Sequence, residues 1–376
     1  MPQLDGLRAF AVGAVMAHHF LALNLIIPFY FLAVGDLGVR LFFVLSGFLI
    51  TGILVRCRAD VDLDHQSSSH KVRQFYVRRF LRIFPIYYLT LGLVAILNLP
   101  SVRATLFWHL SYLSNVHFSL VGFDGPLSHF WSLAVEEQFY LIWPWLIVFA
   151  PRKYLHKILL CVIIAGPLFR LAMFVFGGGE LASYILLFGC MDSLGLGALL
   201  AYYASDGQLE KRKEVFSKFS LLVGMLLIVL LAGLYKLNTA RWVSVVVMFL
   251  AMSLVFVWLV QRAADGFRGI PGAFLGFRPL VYIGKISYGI YIFHLLVPQV
   301  LSRAFAVCGF TFPEGPGTTI IRFILFLSTT VGCAALSWHF FEGPINKLKK
   351  YFRYEKPRLA KEPHFIESMG TVLDAR

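Results

Sequence analysis

Apolar stretches separated by short polar segments follow one another along most of this chain. Ten are long enough to cross a bilayer as helices, and they lie at about residues 7–27, 37–55, 83–99, 131–149, 158–176, 184–204, 219–235, 241–260, 280–301 and 318–340. Residues 104–116 are too short to span, and we expect them at the outer membrane interface. The pattern predicts an all-α integral membrane protein with about ten transmembrane helices.

Composition agrees with this prediction. The chain is 59% hydrophobic and 14% charged, with a mean hydropathy of +0.74, values typical of multi-pass membrane proteins. No basic region precedes the first apolar stretch and no small-residue cleavage site follows it, so we interpret it as a span rather than a cleaved signal. The five cysteines show neither metal-ligand nor disulfide spacing, and no metal site is predicted.

The basic residues predict the orientation. Ten spans leave both termini on one side, and placing that side in the cytoplasm accounts for most of the 34 Lys and Arg residues. The exceptions are Arg40, Arg103, Arg170, Lys236, Arg241, Arg303 and Arg322. Both termini are therefore predicted to be cytoplasmic, in a plasma or inner membrane. Anionic lipid then explains most of the net charge of +14, and no nucleic-acid partner is needed.

The first predicted span contains two ionisable side chains on one face. Arg8 and His19 are eleven residues apart, which is about three helical turns and about 16 Å. His18 points roughly 80° away from them. Ionisable groups at membrane depth are usually functional. A cation at the membrane edge with an imidazole near mid-depth suggests an anionic cofactor that threads into the membrane.

A pair of arginines immediately precedes the third predicted span. Arg79 and Arg82 lie three residues apart, nearly on one helical face, and a guanidinium donates two parallel hydrogen bonds to phosphate. We interpret them as a candidate phosphate site, with ordinary positive-inside anchoring as the alternative. The chain is divided into a transmembrane domain, residues 1–346, and a basic cytoplasmic tail, residues 347–376.

Adjacent carboxylates lie in the fourth predicted span. Glu136 and Glu137 fall about 8 Å below the outer interface when counted from Trp131. Neighbouring residues do not share a helical face, so we expect them to face different partners. Arg170 and Asp192 lie at comparable depth, and an ion pair between helices is the structural alternative for these charges.

Weaker signals come from other polar residues. His294 is a further intramembrane histidine that we interpret as hydrogen-bonded between helices. Ser46 is assigned to helix packing and Glu342 to an ion pair with a nearby cation. His109, His117 and His129 lie in the outer loop and are expected to be solvated or interfacial.

These motifs, in this order, resemble the acyltransferase-3 family. The resemblance rests on LDGLRAFAVGAVMAHH, GVRLFFVLSGFLITG, RRFLRIFP, WSLAVEEQFYLIWP, SYGIYIFH and FFEGP, between about Leu4 and Pro344. It implies about ten helices and transfer of acyl groups, often acetyl, from cytoplasmic acyl-CoA to extracytoplasmic glycans or lipid-linked sugars. Some members modify small molecules such as macrolides. We expect a bacterial O-acetyltransferase of the stand-alone form, without an SGNH-type esterase domain.

The resemblance also implies roles for individual residues. The family's essential histidine matches His19, its first-helix arginine matches Arg8, and its Arg-x-x-Arg motif matches Arg79 and Arg82. The arginines would hold the phosphates of CoA while the pantetheine arm brings the thioester to His19. We expect His19 to act as general base, with Glu136 or Glu137 orienting the acceptor or taking the relayed proton. A covalent acyl-enzyme remains open.

A proton-coupled secondary transporter or flippase is the main alternative. Intramembrane His, Glu, Asp and Arg residues also form proton relays. Transporters of this size usually contain an internal repeat, and no convincing five-plus-five repeat is present. Arginines clustered at the cytoplasmic face favour a phosphate-bearing cofactor.

Overall fold

The computed structural model describes residues 1–21, 33–64, 67–99, 101–205, 210–236, 241–309 and 315–354. These residues are helical apart from turns and loops, and no strand occurs among them. The helices are α1 (Pro2–Leu21), α2 (Val34–Asp64), α3 (Ser68–Ile96), α4 (Val102–Leu110), α5 (Ser114–Val121), α6 (Phe130–Phe149), α7 (Arg152–Val175), α8 (Glu180–Ile185), α9 (Met191–Ser205), α10 (Glu210–Lys236), α11 (Arg241–Asp265), α12 (Gly269–Leu275), α13 (Arg278–Lys285), α14 (Ser287–Phe293), α15 (Leu296–Val307), α16 (Pro316–Ser337) and α17 (Gly343–Lys347).

Seven helical segments of the described chain are long and apolar enough to cross a membrane. They are Val34–Val61, Ser68–Ile96, Arg152–Val175, Leu187–Ser205, Lys211–Leu234, Val243–Asp265 and Gly317–Tyr351, and the bent pair α14–α15 makes an eighth if it forms one span. Helix α6 coincides with the predicted fourth span, and α1 covers the predicted first span as far as Leu21. Positions 22–27 of that span lie outside the described residues. The all-helical membrane fold is confirmed, whereas the count of about ten and the orientation stay predictions.

Close contact between α2 and α9 forms the centre of the bundle. A Cβ atom added to Gly47 would lie 2.0 Å from the Leu194 carbonyl oxygen, and one on Gly197 would lie 2.1 Å from the Val44 carbonyl oxygen. Glycine therefore allows the two backbones to touch, as is common where membrane helices associate through packing alone. The contact positions α2, which carries Ser46 into the site described below.

Arg170 and Asp192 form the predicted ion pair between helices. Arg170 Nη2 lies 2.6 Å from Asp192 Oδ2, and both side chains are completely buried. Arg170 also donates to the carbonyl oxygens of Gly189 and Val246, at 2.6 and 2.9 Å. Because its donors serve α7, α9 and α11 together, Arg170 stabilises the bundle, which confirms the structural alternative for this pair.

The predicted ninth span is broken. Helix α14 ends at Phe293, α15 begins at Leu296, and their axes differ by 46°. A break frees backbone carbonyls that must find donors inside a membrane. His294 Nδ1 donates to the Tyr291 carbonyl oxygen at 2.6 Å, and His129 Nε2 donates to that of Ile292 at 3.2 Å. The two imidazoles thus replace helical N–H groups at the bend.

This arrangement corrects the expectation for the outer-loop histidines. His129 is only 4% exposed and His109 only 1%, so neither is solvated. His129 is buried because a broken helix elsewhere in the chain needs its N–H group.

The C-terminal end of the described chain folds back onto α3. At the end of the segment Gly317–Tyr351, α17 is followed by a 3₁₀ turn, Leu348–Tyr351. Arg78 Nη1 donates to the carbonyl oxygens of Lys349 and Phe352, at 2.9 and 3.0 Å, and its guanidinium lies 5.0 Å from the centre of the Tyr354 ring. Residues 348–354, which belong to the predicted tail of residues 347–376, therefore pack on α3, and residues 355–376 lie outside the described part.

Glu342 has a different partner from the one expected. Its Oε1 accepts a hydrogen bond from Ser337 Oγ at 2.9 Å, and no salt bridge joins it to a described cation. The carboxylate therefore pairs with a hydroxyl at the end of α16 and forms no salt bridge among the described residues.

Candidate active site

Helix α1 connects two neighbouring cavities. Arg8, near its start, lines a cavity enclosed by α1, α2, α3, α6 and α14, called here the arginine cavity. His19, in the last turn of α1, lines a second cavity. This cavity is bounded mainly by α1, α2, α8 and α11 and is called here the histidine cavity. Val39 and Tyr291 line both cavities. The two residues that the sequence placed on one helical face therefore serve adjacent compartments.

The arginine cavity brings the three predicted phosphate ligands together. Arg8 from α1 and both Arg79 and Arg82 from α3 line it. Arg8 Nη1 forms a salt bridge of 2.9 Å with Asp5 Oδ1. Neither Arg79 nor Arg82 has a salt bridge to any carboxylate in the described chain. Two of the three guanidinium groups are therefore not engaged in a direct ion pair, and guanidinium groups of this kind can bind an anionic ligand.

Both glutamates of α6 also line the arginine cavity. Glu136 Oε1 accepts a hydrogen bond of 2.5 Å from Ser46 Oγ, and Tyr140 donates to the same hydroxyl at 3.1 Å. Glu137 lies toward α3, where it also borders a groove lined by Tyr76 and Phe80. The two carboxylates point different ways, as expected, but the cavity extends around α6 and includes both. Both glutamates lie in the arginine cavity, and neither lines the cavity that contains His19.

The histidine cavity is much the larger of the two. Its volume is about 680 Å³, against about 90 Å³ for the arginine cavity. The His19 ring is exposed to this space. The His18 ring instead packs against α2, with Cδ2 only 2.9 Å from the position a Cβ would take on Gly35. Both histidines line the cavity, and His19 is the more exposed of the two.

Two further histidines lie behind His19. The ring centres of His19 and His294 are 5.1 Å apart, and those of His294 and His129 are 4.4 Å apart. Since His294 Nδ1 and His129 Nε2 both donate to carbonyls, His294 Nε2 and His129 Nδ1 carry lone pairs. Both of these nitrogens are buried without a hydrogen-bond partner. Within the described ranges, no group of three or more His, Cys, Asp or Glu side chains is arranged to hold a metal.

Tyr291 separates the two cavities. Its hydroxyl lies 2.6 Å from Ser132 Oγ and 3.2 Å from the His129 carbonyl oxygen. Any chain-like ligand that reaches from Arg82 to His19 must therefore pass beside Tyr291 and Val39. Sequence reasoning assigned Ser46 to helix packing and His129 to the outer loop, and it did not single out Tyr291, although SYGIYIFH contains Tyr291 three residues before His294.

Comparison with known proteins gives one family. A family model described as an acyltransferase domain, Acyl_transf_3, matches residues 1–338. The peptidoglycan O-acetyltransferase OatA of Listeria monocytogenes is 30% identical, covering 92% of this chain and 56% of that protein. The putative peptidoglycan O-acetyltransferase YrhL of Bacillus subtilis is 29% identical, covering 92% and 55%. The O-acetyltransferase OatA of Staphylococcus aureus is 27% identical, covering 92% and 57%. The chain thus spans about half the length of these relatives, and no solved structure matches it.

Proposed function

The chain belongs to the acyltransferase-3 family, and on that premise we propose that it is a bacterial membrane O-acetyltransferase. It moves an acyl group, acetyl by default, from cytoplasmic acyl-CoA to a hydroxyl of an extracytoplasmic glycan or lipid-linked saccharide. The observation that carries the proposal is the pair of adjacent cavities along α1, one lined by three arginines and the other by His19. One compartment suits an anionic donor and the other an acceptor.

The arginine cavity is the donor site in this proposal. Arg8, Arg79 and Arg82 hold the diphosphate of CoA through charge-assisted hydrogen bonds, the strongest kind that guanidinium forms. With the termini in the cytoplasm, as the charge distribution predicts, this cavity faces the side where CoA is made. A pantetheine arm is slender and about as long as the rise of about 16 Å between Arg8 and His19. It passes Val39 and Tyr291 and presents the thioester to the histidine cavity.

His19 is the general base in the proposed reaction. Neutral imidazole accepts the proton of the acceptor hydroxyl while that oxygen attacks the thioester carbonyl carbon. The carbon–sulfur bond then breaks, the acyl group stays on the acceptor oxygen, and the imidazolium returns its proton to the departing CoA sulfur. No other reactant is required. The exposure of His19 to the large cavity supports this role.

Glu136 and Glu137 act on the donor side in this scheme. Their place in the arginine cavity supports a role as counter-charges that the phosphates of CoA displace. The roles that the resemblance implies, orienting the acceptor or taking the relayed proton, stay predictions.

A cell-wall glycan is the first acceptor to test. The relatives in Listeria and Bacillus carry names that specify peptidoglycan. The histidine cavity of this chain contains Trp131 and Tyr184 together with the carboxylates of Asp36 and Glu180. Aromatic faces and hydrogen-bond acceptors of this kind suit a sugar.

His294 orients His19 in the proposed mechanism. The ring centres of the two imidazoles are 5.1 Å apart, and His294 Nε2 has no hydrogen-bond partner in the structure, so it is available to accept an N–H from His19 during the reaction. A hydrogen bond donated by one His19 nitrogen to His294 Nε2 would leave the lone pair of the other His19 nitrogen free to act as base. This is the role that a third group plays in catalytic triads.

We expect His294→Asn to lower kcat at least about tenfold without loss of stability. Asparagine places an N–H donor near the Nδ1 position, so the Tyr291 carbonyl stays bonded, but it has no lone pair at the Nε2 position. His294→Ala removes both functions and is expected to lower the melting temperature as well. Steady-state kinetics and thermal unfolding of the two variants, compared with wild type, give the measurement. Normal kcat in His294→Asn contradicts the orienting role.

Transfer of label from acetyl-CoA tests the proposed function as a whole. Membranes with and without the protein are incubated with radiolabelled acetyl-CoA, and we expect label in the endogenous glycan only where the protein is present. CoA is also expected to raise the melting temperature of the purified protein. If no label moves and CoA does not stabilise the protein, while the protein conducts protons or a solute, the transporter alternative is correct.

A further inference from the structure

Asp36 carries a carboxylate on the wall of the histidine cavity, in the first turn of α2. Its Oδ1 accepts a hydrogen bond from the Tyr184 hydroxyl. Within the described ranges, Asp36 has no second hydrogen bond and no salt bridge. A carboxylate can accept about four hydrogen bonds, and its partial removal from water costs free energy unless it is paired. Asp36 can therefore accept further hydrogen bonds from a ligand in the cavity.

Tyr184 holds this carboxylate in one orientation. The Tyr184 carbonyl oxygen accepts a hydrogen bond of 3.1 Å from Arg40 Nη2, and the Arg40 guanidinium lies 5.3 Å from the centre of the Tyr184 ring. The ring also packs against Trp131 and Phe249, with ring centres 4.9 and 5.4 Å apart. Arg40 is completely buried and lies one turn after Asp36 on α2, so it ties α2 to α8. Asp36 is thus preorganised, which lowers the cost of ordering it when a ligand binds.

Other polar groups of the same wall indicate what kind of ligand the cavity suits. The Ser244 hydroxyl, on a residue that is 1% exposed, and His18 Nδ1 are both buried without a hydrogen-bond partner. Buried groups of this kind disfavour a hydrocarbon ligand. Among the described residues, no lysine or arginine lines the cavity, whereas Asp36 and Glu180 do, and this disfavours an anion. The cavity therefore suits a neutral molecule with several hydroxyl or amide groups, such as a sugar.

Asp36 and His19 lie on neighbouring parts of the cavity wall. Gly35, which precedes Asp36, packs against the ring of His18, which precedes His19. Resting on the proposed function, we propose that Asp36 binds the acceptor sugar through a second polar group. The carboxylate oxygen that Tyr184 leaves free accepts a hydrogen bond from another hydroxyl or from an amide N–H, while the reactive hydroxyl lies at His19. The acceptor is then a sugar with at least two such donors.

Acetyl transfer to a soluble sugar tests the assignment. The purified chain is assayed in nanodiscs with radiolabelled acetyl-CoA and the methyl β-glycoside of N-acetylglucosamine. Asparagine at position 36 keeps an oxygen for the Tyr184 hydroxyl but replaces the free oxygen by an NH₂ donor. We expect Asp36→Asn to raise KM for the glycoside about 10- to 100-fold, the effect of losing a hydrogen bond to a charged group. The change in kcat should be much smaller, and KM for acetyl-CoA should stay the same.

Two further variants show whether the effect belongs to Asp36. Asp124 is an exposed carboxylate in the loop before α6 that does not line the cavity, so Asp124→Asn, the matched control, should behave as wild type. Tyr184→Phe keeps the ring but cannot hold the carboxylate, and we expect it to raise KM for the glycoside less than Asp36→Asn does. Combining the two changes should add nothing to Asp36→Asn alone, because both act on one contact. A further increase in the combined variant would show that Tyr184 does not act through Asp36.

Other outcomes overturn the assignment in distinguishable ways. An unchanged KM for the glycoside in Asp36→Asn, or a fall in kcat alone, shows that Asp36 does not bind the acceptor. An equal rise of KM in Asp124→Asn shows that the overall charge is responsible. If wild type labels the endogenous glycan of its membranes but not the glycoside, the acceptor is not recognised as a sugar of this class. If wild type labels neither, the proposed function is itself wrong.

Discussion

Replacement of His19 by alanine or glutamine is expected to lower acetyl transfer by about 10²- to 10⁴-fold, the usual contribution of a general base. Glutamine keeps a polar side chain of similar reach but cannot accept a proton at neutral pH. Since the arginine cavity does not include His19, both variants should bind acyl-CoA with wild-type affinity. Transfer of label to glycan and calorimetric binding of CoA, measured on the same preparations, separate chemistry from donor binding.

His18→Gln is the matched control for this prediction. His18 is the adjacent residue, borders the same cavity, and packs its ring against Gly35. We expect its replacement to change transfer by less than the replacement of His19, and to affect mainly stability. Loss of transfer in His18→Gln together with normal transfer in His19→Gln would show that the base was assigned to the wrong histidine. Loss of CoA binding in His19→Gln would place the donor site around His19.

The part of the site that the sequence predicted follows from the regular helical period. Arg8 and His19 are eleven residues apart in one helix, so their common face is a matter of geometry. The structure places both on α1 and lets them line adjacent cavities. Arg79 and Arg82, one turn apart on α3, likewise line a single cavity. Periodicity within one helix is enough for predictions of this kind.

Contacts that depend on how helices are rotated against each other were not predictable in this way. The depth of Glu136 was read from its distance to Trp131, but depth does not say which neighbouring helix the side chain meets. Its partner is Ser46 on α2, and both glutamates lie with the arginines as a result. Tyr291 owes its place between the cavities to the packing of α14 in the same way.

The broken span illustrates a second limit of sequence reasoning. By hydropathy, residues 280–301 form one apolar stretch. A bend in the backbone does not alter the side chains, so hydropathy cannot detect it. The bend nevertheless requires donors for the carbonyls of Tyr291 and Ile292. His294 and His129 supply them, and this need is what buries a loop histidine beside the candidate base. The contact between His129 and the Ile292 carbonyl could not be predicted from the sequence, because the two residues are more than 160 positions apart.

Arg82→Gln is expected to weaken the binding of acetyl-CoA by about 10- to 100-fold, because each hydrogen bond from a charged group contributes about 1.5–3 kcal/mol. The change should appear in Kd and KM, with kcat nearly unchanged at saturation, since a phosphate contact remote from the thioester stabilises ground state and transition state alike. Arg82→Lys should recover part of the loss, because lysine keeps the charge but not the planar pair of donors.

Arg73→Gln is the matched control, because Arg73 lies on the same helix, is exposed, and does not line the arginine cavity. We expect wild-type affinity for acetyl-CoA in this variant. Equal weakening by Arg73→Gln and Arg82→Gln would mean that the ligand responds to the overall charge of the basic face, and such an effect would fade with added salt. Unchanged affinity in Arg82→Gln would remove the arginine cavity as the donor site. If only Arg82→Gln weakens the binding of acetyl-CoA, a phosphate of the ligand lies inside the arginine cavity. Helix α1 runs from that cavity to His19.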